Sequence, residues 1–462
     1  MLFCELGRGM RKGRAVFDQA CPSPREGWNP VPIAAPVGSP TLHFAFLDSA
    51  LNRRFGADAQ GLRRGGQGKK KSQRELGFMP CRMPRIASRS QAMDVFDIAV
   101  IGGGMLGSAI GWDCATRGAR VAVLDGGDVA LRAARGNFGL VWSQGKGVGM
   151  PAYAAWTQGS LAAWPALAER ISGLAGRDVG YRGHGGVVFC LGHAELKARR
   201  DEVRRLHNLG ANRLRMLDRD ELMELMPGCP LGEEVTGASY EPSDGHADPL
   251  TLLRGFAAGL RAAGAAHLPG AEVSRIEAGA HYTAHRADGG VVVARKLVIA
   301  AGLGTPRLAA MVGLGVPVRP VRGQNLVTER LPPMLPLPAS ALRQTVDGTI
   351  QIGVTIEDDG DPEPRTRVDN LAAMASRAAR VLPPLRSARV VRSWAALRPM
   401  TPDGFPAYAE SPTHPGIFVA VCHSAVTLAA QHSGPLAAGI LAGRLPDEVA
   451  DLHPRRFHVP TH

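Results

Sequence analysis

Gly102, Gly104 and Gly107 follow the spacing G-x-G-x-x-G, and Asp125 stands 18 residues after the last of these glycines. In a strand–turn–helix setting this pattern suits a dinucleotide. The first glycine allows a tight turn, the second lets a pyrophosphate approach the backbone, and the third permits close packing of helix on strand. Met105 and Leu106 open the helix, whose N–H groups and positive dipole end face the phosphates. Asp125 would accept hydrogen bonds from the ribose hydroxyls of the adenosine half. A glycine-rich turn without a ligand is the competing reading.

The flanking residues predict the elements that this motif needs. Phe96 to Ile101 is a short apolar run suited to a buried parallel strand, a helical stretch runs to about Thr116, and Arg120 to Leu124 is a second buried strand ending at Asp125. Arg135 to Trp142 follows where a simple NAD domain would continue with another helix. Two further buried strands come much later. Arg295 to Gly302 ends in small residues that let the backbone approach a cofactor from a second side, and Gly416 to Val421 runs through Cys422, His423 and Ser424 into a helix. The glycine motif does not choose between NAD and FAD. A nucleotide domain assembled from such separated segments is a two-domain flavoprotein layout. Asp248-Pro249 before a helical run reads as an N-cap with proline at the first helical position.

The chain has 462 residues, 45% of them hydrophobic and 21% charged, which is globular composition. The net charge of +13 is unevenly placed: residues 1–92 carry a net +10 and residues 93–462 a net +3. A nucleic-acid groove across the larger part would need its charge there, so nucleic acid is not expected as a partner. Residues 1–92, with a Pro-rich stretch and a Gly/Lys/Arg run, are expected to be a disordered or non-native extension, with Met93 as the true start. Arg53-Arg54 lacks the apolar segment of a twin-arginine signal. Seven widely spaced cysteines with no C-x-x-C pair and no Cys/His cluster fit free thiols in a reducing, cytoplasmic compartment, with no metal site. No apolar run is long enough for a transmembrane helix, and Gly416 to Gly443 reads instead as a buried strand followed by a helix.

Further motifs then occur in order: Arg135-Gly136-Asn137-Phe138-Gly139-Leu140-Val141-Trp142, Asp244-Gly245-His246-Ala247-Asp248-Pro249, Val321-Arg322-Gly323-Gln324, and Leu397-Arg398-Pro399-Met400-Thr401-Pro402-Asp403-Gly404. With them the chain resembles the D-amino acid oxidase-like family of FAD-dependent amine oxidoreductases over about residues 94–445. Its look is nearest to the branch with opine oxidase and D-hydroxyproline dehydrogenase beta-type subunits. The resemblance implies an α/β (α+β overall) fold, a Rossmann-like FAD-binding domain interleaved with a mixed-sheet substrate domain. The FAD domain would take residues 94–145, 245–320 and 393–445, the substrate domain 146–244 and 321–392, with a tail at 446–462.

By the same resemblance FAD, held non-covalently, would meet Arg135, Gly136, Asn137, Gly139 and Leu140, with Val273 near the adenine and Ala301 and Gly302 near the pyrophosphate. The turn formed by Ser424, Ala425, Val426, Thr427 and Leu428 would lie near the flavin pyrimidine, where backbone N–H groups stabilise charge on N1 and O2 of the reduced ring. His423 would stand at the flavin edge. Arg398 would grip the substrate carboxylate with two parallel hydrogen bonds, with a structural ion pair as its competing role. Cys422 reads as a buried thiol rather than a flavin link, Lys146 as a loop lysine or a charge near the flavin, and Trp142, Tyr153 and Trp156 as pocket or core. Asp125, Ala134 and Ala425 replace the commoner Glu, Ser and Gly of relatives.

The implied reaction is oxidation of the C–N bond of a D-amino acid, an imino acid such as D-hydroxyproline, or an opine-type secondary amine. It proceeds by hydride transfer, leaves an imine and needs no dedicated general base. Partner subunits that carry electrons away are expected, and could hold the protein at the inner membrane. A non-catalytic FAD-binding relay subunit and a tRNA-modifying enzyme on the same fold are the alternatives.

Overall fold

The computed structural model describes residues 95–127, 132–207, 213–353, 355–361 and 363–457. The expectation for residues 1–92 lies outside the described residues. Strand β1 (Val95–Ile101) sits mid-sheet, with parallel partners on both sides, β2 (Val121–Asp125) and β11 (Val291–Ile299). Its side chains alternate as a buried central strand requires. Ile98 and Val100 join one apolar cluster, while Ala99 and Ile101 join the other on the opposite face. The full order is β16 (Ala407–Glu410), β17 (Ile417–Val421), β11, β1, β2, β8 (Ala266–Pro269), and the hairpin β9 (Val273–Ala278) and β10 (Tyr282–Arg286) pairs onto β11.

Helices α1 (Met105–Thr116), α2 (Pro151–Ala175) and α5 (Pro249–Ala262) cover one face, joined by the short α8 (Ala429–Gln431) and α9 (Ala437–Ala442). The Gly416–Gly443 stretch is thus a buried strand and a broken helix. Asp248 caps α5, its Oδ1 accepting from Leu250 N at 2.8 Å and Thr251 N at 3.1 Å, with Pro249 at the first helical position. No helix among the described residues is long and apolar enough to cross a membrane.

A second body of strands is antiparallel. It contains β12 (Arg319–Arg330) between β15 (Val390–Met400) and β14 (Thr349–Ile352), with β13 (Leu342–Gln344) outside β14. A three-stranded sheet of β4 (Gly186–Leu191), β6 (Val235–Glu241) and β5 (Arg215–Asp218) adjoins it through a bridge of Val187 to Ala339. Helices α3 (Gly192–His207), α4 (Arg219–Leu225) and α7 (Val368–Val381) belong to this part, and α6 (Thr305–Ala310) follows β11. A two-stranded link, β3 (Leu140–Val141) with β7 (Gly245–His246), connects the bodies. The domain boundary expected at residue 393 falls inside β15.

The β1–α1 turn is closed by backbone contacts that tolerate no side chain. Gly102 has φ +115°, and a Cβ built on it would overlap Ala300 O. A Cβ on Gly107 would overlap Gly102 O, whereas one on Gly104 would meet nothing nearer than Ala134 Cβ at 3.8 Å. Gly107→Ala is therefore expected to lower unfolding free energy by about 3 kcal/mol, and Gly104→Ala by no more than about 1 kcal/mol. Urea unfolding of the two variants checks this, and equal losses would contradict it.

Candidate functional site

At the carboxyl ends of β1 and β2, Gly102, Gly103 and Gly104 form a bare floor between Ala300-Ala301 and Asp125. A Cβ on Gly103 would lie 2.9 Å from Asp125 Oδ2, so this glycine, outside the G-x-G-x-x-G positions, is needed too. Helix α1 begins with no side-chain cap and no acidic residue in its first turn. The N–H groups of Met105, Leu106 and Gly107 find no acceptor among the described residues. Arg132 Nη1 donates to Asp125 Oδ1 at 3.1 Å, leaving Oδ2 without a partner among the described residues. Beside Asp125, Gly126 touches Glu272, and Arg307 holds the carbonyls of Val273 and Ser274 at 2.8 Å each. Bare glycines, an uncapped helix start and a half-free carboxylate fit the pyrophosphate and ribose of a dinucleotide. Ala301 and Gly302 lie where β11 ends against this floor.

The Arg135–Leu140 segment crosses from this floor to the second body. Gly136 packs against Ala396 of β15, with no room for a Cβ, and its carbonyl accepts from Trp394 Nε1 at 3.1 Å and Asn325 Nδ2 at 3.4 Å. Asn137 Oδ1 accepts from Gly139 N at 2.7 Å, and Gly139, at φ +93°, passes so close to Ala247 O that a Cβ would overlap it. Phe138 covers Gly353. Leu140 O accepts from Thr427 Oγ1 at 3.2 Å, which joins this segment to the Ser424–Leu428 turn.

That turn is buried and well held. Ser160 Oγ and Trp164 Nε1 donate to Thr427 O at 2.7 and 2.9 Å, and Tyr153 OH donates to Ser424 Oγ at 3.0 Å. Leu428 N returns to Ser424 O at 3.0 Å. The N–H groups of Ala425, Val426 and Thr427 have no acceptor among the described residues, although Val426 and Thr427 are buried. Three consecutive unpaired donors form a nest for a partially negative atom, which a reduced flavin ring would supply.

Several ionisable groups converge here. Lys146 Nζ donates to Thr427 Oγ1 at 3.3 Å, and burial pulls it down to about 8. Burial, with the positive charges of Lys146 and Arg398 adding, pushes His423 down to about 3, so its ring is neutral near pH 7. Cys422 is buried and its thiol pushed up to about 12. Arg398 is half-buried and burial draws it down to about 10, opposed by Glu357. Its Nη1 donates to Arg322 O at 3.2 Å, and its guanidinium lies against Gly323, where a side chain would stand. No carboxylate lies within ion-pair distance of it among the described residues.

Asp244 carries a signal that its motif alone did not assign. Ser143 N and Oγ donate to its Oδ1 at 2.6 and 2.8 Å, while its buried Oδ2 has no partner among the described residues. Arg132 and Trp394 were equally unmarked in sequence, because only the fold brings them to Asp125 and Gly136. Trp142, Tyr153 and Trp156 are all buried.

Burial raises Asp244 from 3.8 to about 7, opposed by the hydrogen bonds from Ser143. An acid whose folded value lies above its unfolded one holds its proton longer when folded. Stability therefore falls as pH rises from about 4 to about 7 and levels off above that. Asp244→Asn keeps an acceptor for Ser143 and removes the titrating carboxyl. It should flatten the decline by up to about 1.4 kcal/mol per pH unit. Urea unfolding across that window is the measurement, and identical slopes for both proteins would refute it.

Residues 97–442 match the family model described as DAO, FAD dependent oxidoreductase. The chain is 40% identical over 370 residues to the B subunit of opine oxidase from Agrobacterium tumefaciens (strain Ach5), spanning 79% of this chain and 98% of that relative. It is 30% identical over 336 residues to glycine oxidase of Geobacillus kaustophilus (strain HTA426), covering 71% and 88%. The crystal structure of glycine oxidase from Geobacillus kaustophilus superposes with a TM-score of 0.72 at 27% identity, over 79% of this chain and 99% of that one. The mixed α/β architecture is shared with it, and the chain belongs to the DAO family of FAD-dependent oxidoreductases.

Proposed function

We propose that this protein oxidises the C–N bond of a carboxylate-bearing amine: a D-amino acid, a D-hydroxyproline-like imino acid or an opine-type secondary amine. The observation that carries this reading is Arg398, a half-buried guanidinium lying over Gly323 of β12, with no carboxylate partner among the described residues. A cation left unpaired in a partly desolvated site is costly, and a substrate carboxylate arriving in bidentate geometry removes that cost.

FAD, when bound, supplies the two-electron acceptor for hydride from the carbon bearing the amine. Residues Gly102 to Gly107, Asp125, Ala301 and Gly302 would hold its pyrophosphate and adenosine end, with Val273 beside the adenine. Arg135 to Leu140 and His423 to Leu428 would hold the ring. The high thiol pKa at Cys422 favours non-covalent binding, since little thiolate is present to attack. Lys146 and Arg398 place positive potential around the substrate, which disfavours the ammonium and favours the neutral amine that oxidation requires. No side chain is assigned as general base. The imine product would hydrolyse in water to a keto acid, releasing ammonia from a primary amine or the second amine from an opine, or stay as a ring imine from a cyclic amine. The similarity to a relative that is one subunit of an oxidase favours partner chains that accept the electrons.

The test is anaerobic bleaching of bound flavin by D-amino acids, hydroxyproline isomers, sarcosine and opines in turn. Bleaching by one of them is the expected result, and its absence with FAD bound would favour a relay subunit. With the bleaching compound, Arg398→Lys should raise KM about 100-fold while FAD content is unchanged. An unchanged KM would remove Arg398 from the site.

A further inference from the structure

Behind the sheet that carries Arg398 stands a second arginine with the opposite character. Arg322 has no exposed surface, and three carboxylates surround it. Glu357 meets Nε at 2.9 Å, Asp359 meets Nη2 at 2.8 Å and Asp361 meets Nη1 at 3.0 Å. The Glu363 carbonyl accepts a further bond at 3.1 Å. Arg367 closes the cluster on Asp359 at 2.5 Å and Asp361 at 3.2 Å, and Arg319 holds Asp358 at 2.5 Å. Residues 355–361 are thereby strapped to the edge of β12 by ion pairs, with the backbones of Arg322 and Glu357 exchanging both N–H···O bonds at 3.0 Å.

The strap decides what faces the site. Thr355 Oγ1 bonds Glu357 Oε1 and accepts from Gln324 N, and Gln324 Nε2 donates to Glu357 Oε1, so these side chains share the rear face with Arg322. Residues alternate along an extended chain, so Ile356 points to the front. The front face at this level is Gly323, over which the Arg398 guanidinium lies, with Ala396 paired to Gly323 on the other side. Ile356 is 37% exposed, so part of its side chain is free to meet a ligand. Ile356 is thus an apolar wall on one side of Gly323, the glycine over which the Arg398 cation lies, while Ala396 on the other side is buried beneath Gly136.

We propose that Ile356 determines substrate specificity by packing on the apolar part of a molecule whose carboxylate sits on Arg398. Arg322 is its positioning residue, acting from the rear face through the strap. This rests on the reading of Arg398 given above. Loss of the strap leaves Arg398 in place and removes this wall, so binding of compounds that reach the wall falls while binding of those too short to reach it does not.

The test is titration of the FAD-loaded protein with benzoate and with acetate, followed by perturbation of flavin absorbance. Ile356→Ala should weaken benzoate about tenfold and acetate by less than about threefold, and Arg322→Met should do the same. In Ile356→Ala/Arg322→Met the two effects should not add, because both remove one contact. Additive effects, or an unchanged benzoate-to-acetate ratio in Ile356→Ala, would overturn the proposal. Should Arg322→Met fail to retain FAD, Arg322→Lys, which loses the forked contacts but keeps the charge, is expected to shift benzoate at least about threefold, and no shift would overturn the role of Arg322. Arg398→Leu is the separate control. If it binds both carboxylates as tightly as the parent, the Arg398 reading fails, whereas its loss of both with Ile356→Ala unaffected sinks this inference alone.

Discussion

Everything at the proposed cofactor site hangs on the contact of three backbone segments at the end of β1. Gly107 of α1 presses on Gly102 O, and Gly102 presses on Ala300 at the end of β11, with no space for a Cβ at either glycine. This contact sets the pitch of α1 against the sheet and so the direction of its uncapped N–H groups. It also ties segments far apart in the chain into one floor. Any side chain there would lift the helix off the strand, and the phosphate end of a dinucleotide would lose its donors.

From that floor the chain builds outward by glycine contacts rather than by side-chain anchors. Gly136 sits on Ala396, Gly139 on Ala247 O and Gly353 under Phe138. The contacts at Gly136 and Phe138 hold this segment against the second body and the one at Gly139 holds it against the loop before α5, so it has little freedom. The Thr427 hydroxyl, donating to Leu140 O, and its carbonyl, receiving Ser160 and Trp164, extend the same rigidity to the buried turn whose three N–H groups have no acceptor among the described residues. Rigid donors in a dry setting need no reorganisation when charge develops near them.

The parts of this that sequence makes plain are the local ones. A strand, three glycines, a helix and a strand with its closing Asp125 fall within about 32 residues, so periodicity and turn chemistry determine them without tertiary knowledge. The cap of α5 at Asp248 is local for the same reason. Arg398 is different: nothing in its neighbours' spacing marks it out among many arginines, and only the resemblance to a family motif selects it. Arg322 stands in a motif as well, yet its burial depends on carboxylates 35 to 39 residues away, brought together by an irregular strap. Trp394 and Asn325 bind Gly136 from strands far along the chain. Such contacts are properties of the sheet order, which one sequence does not display.

The two arginines of β12 and β15 show why charge counting alone misleads. They are neighbours through Arg322 O and Arg398 Nη1, yet among the described residues one has three carboxylates and the other has none. The pleat separates them, since Arg322 and Glu357 point to the rear while Gly323 leaves the front to the Arg398 guanidinium. A carboxylate on the rear face damps the potential at Arg398 but, with β12 between them, makes no ion pair with it. The acidic strap can therefore be stable without neutralising the cation in front, and a sheet only one strand thick keeps a structural ion cluster from cancelling the charge of the proposed carboxylate anchor.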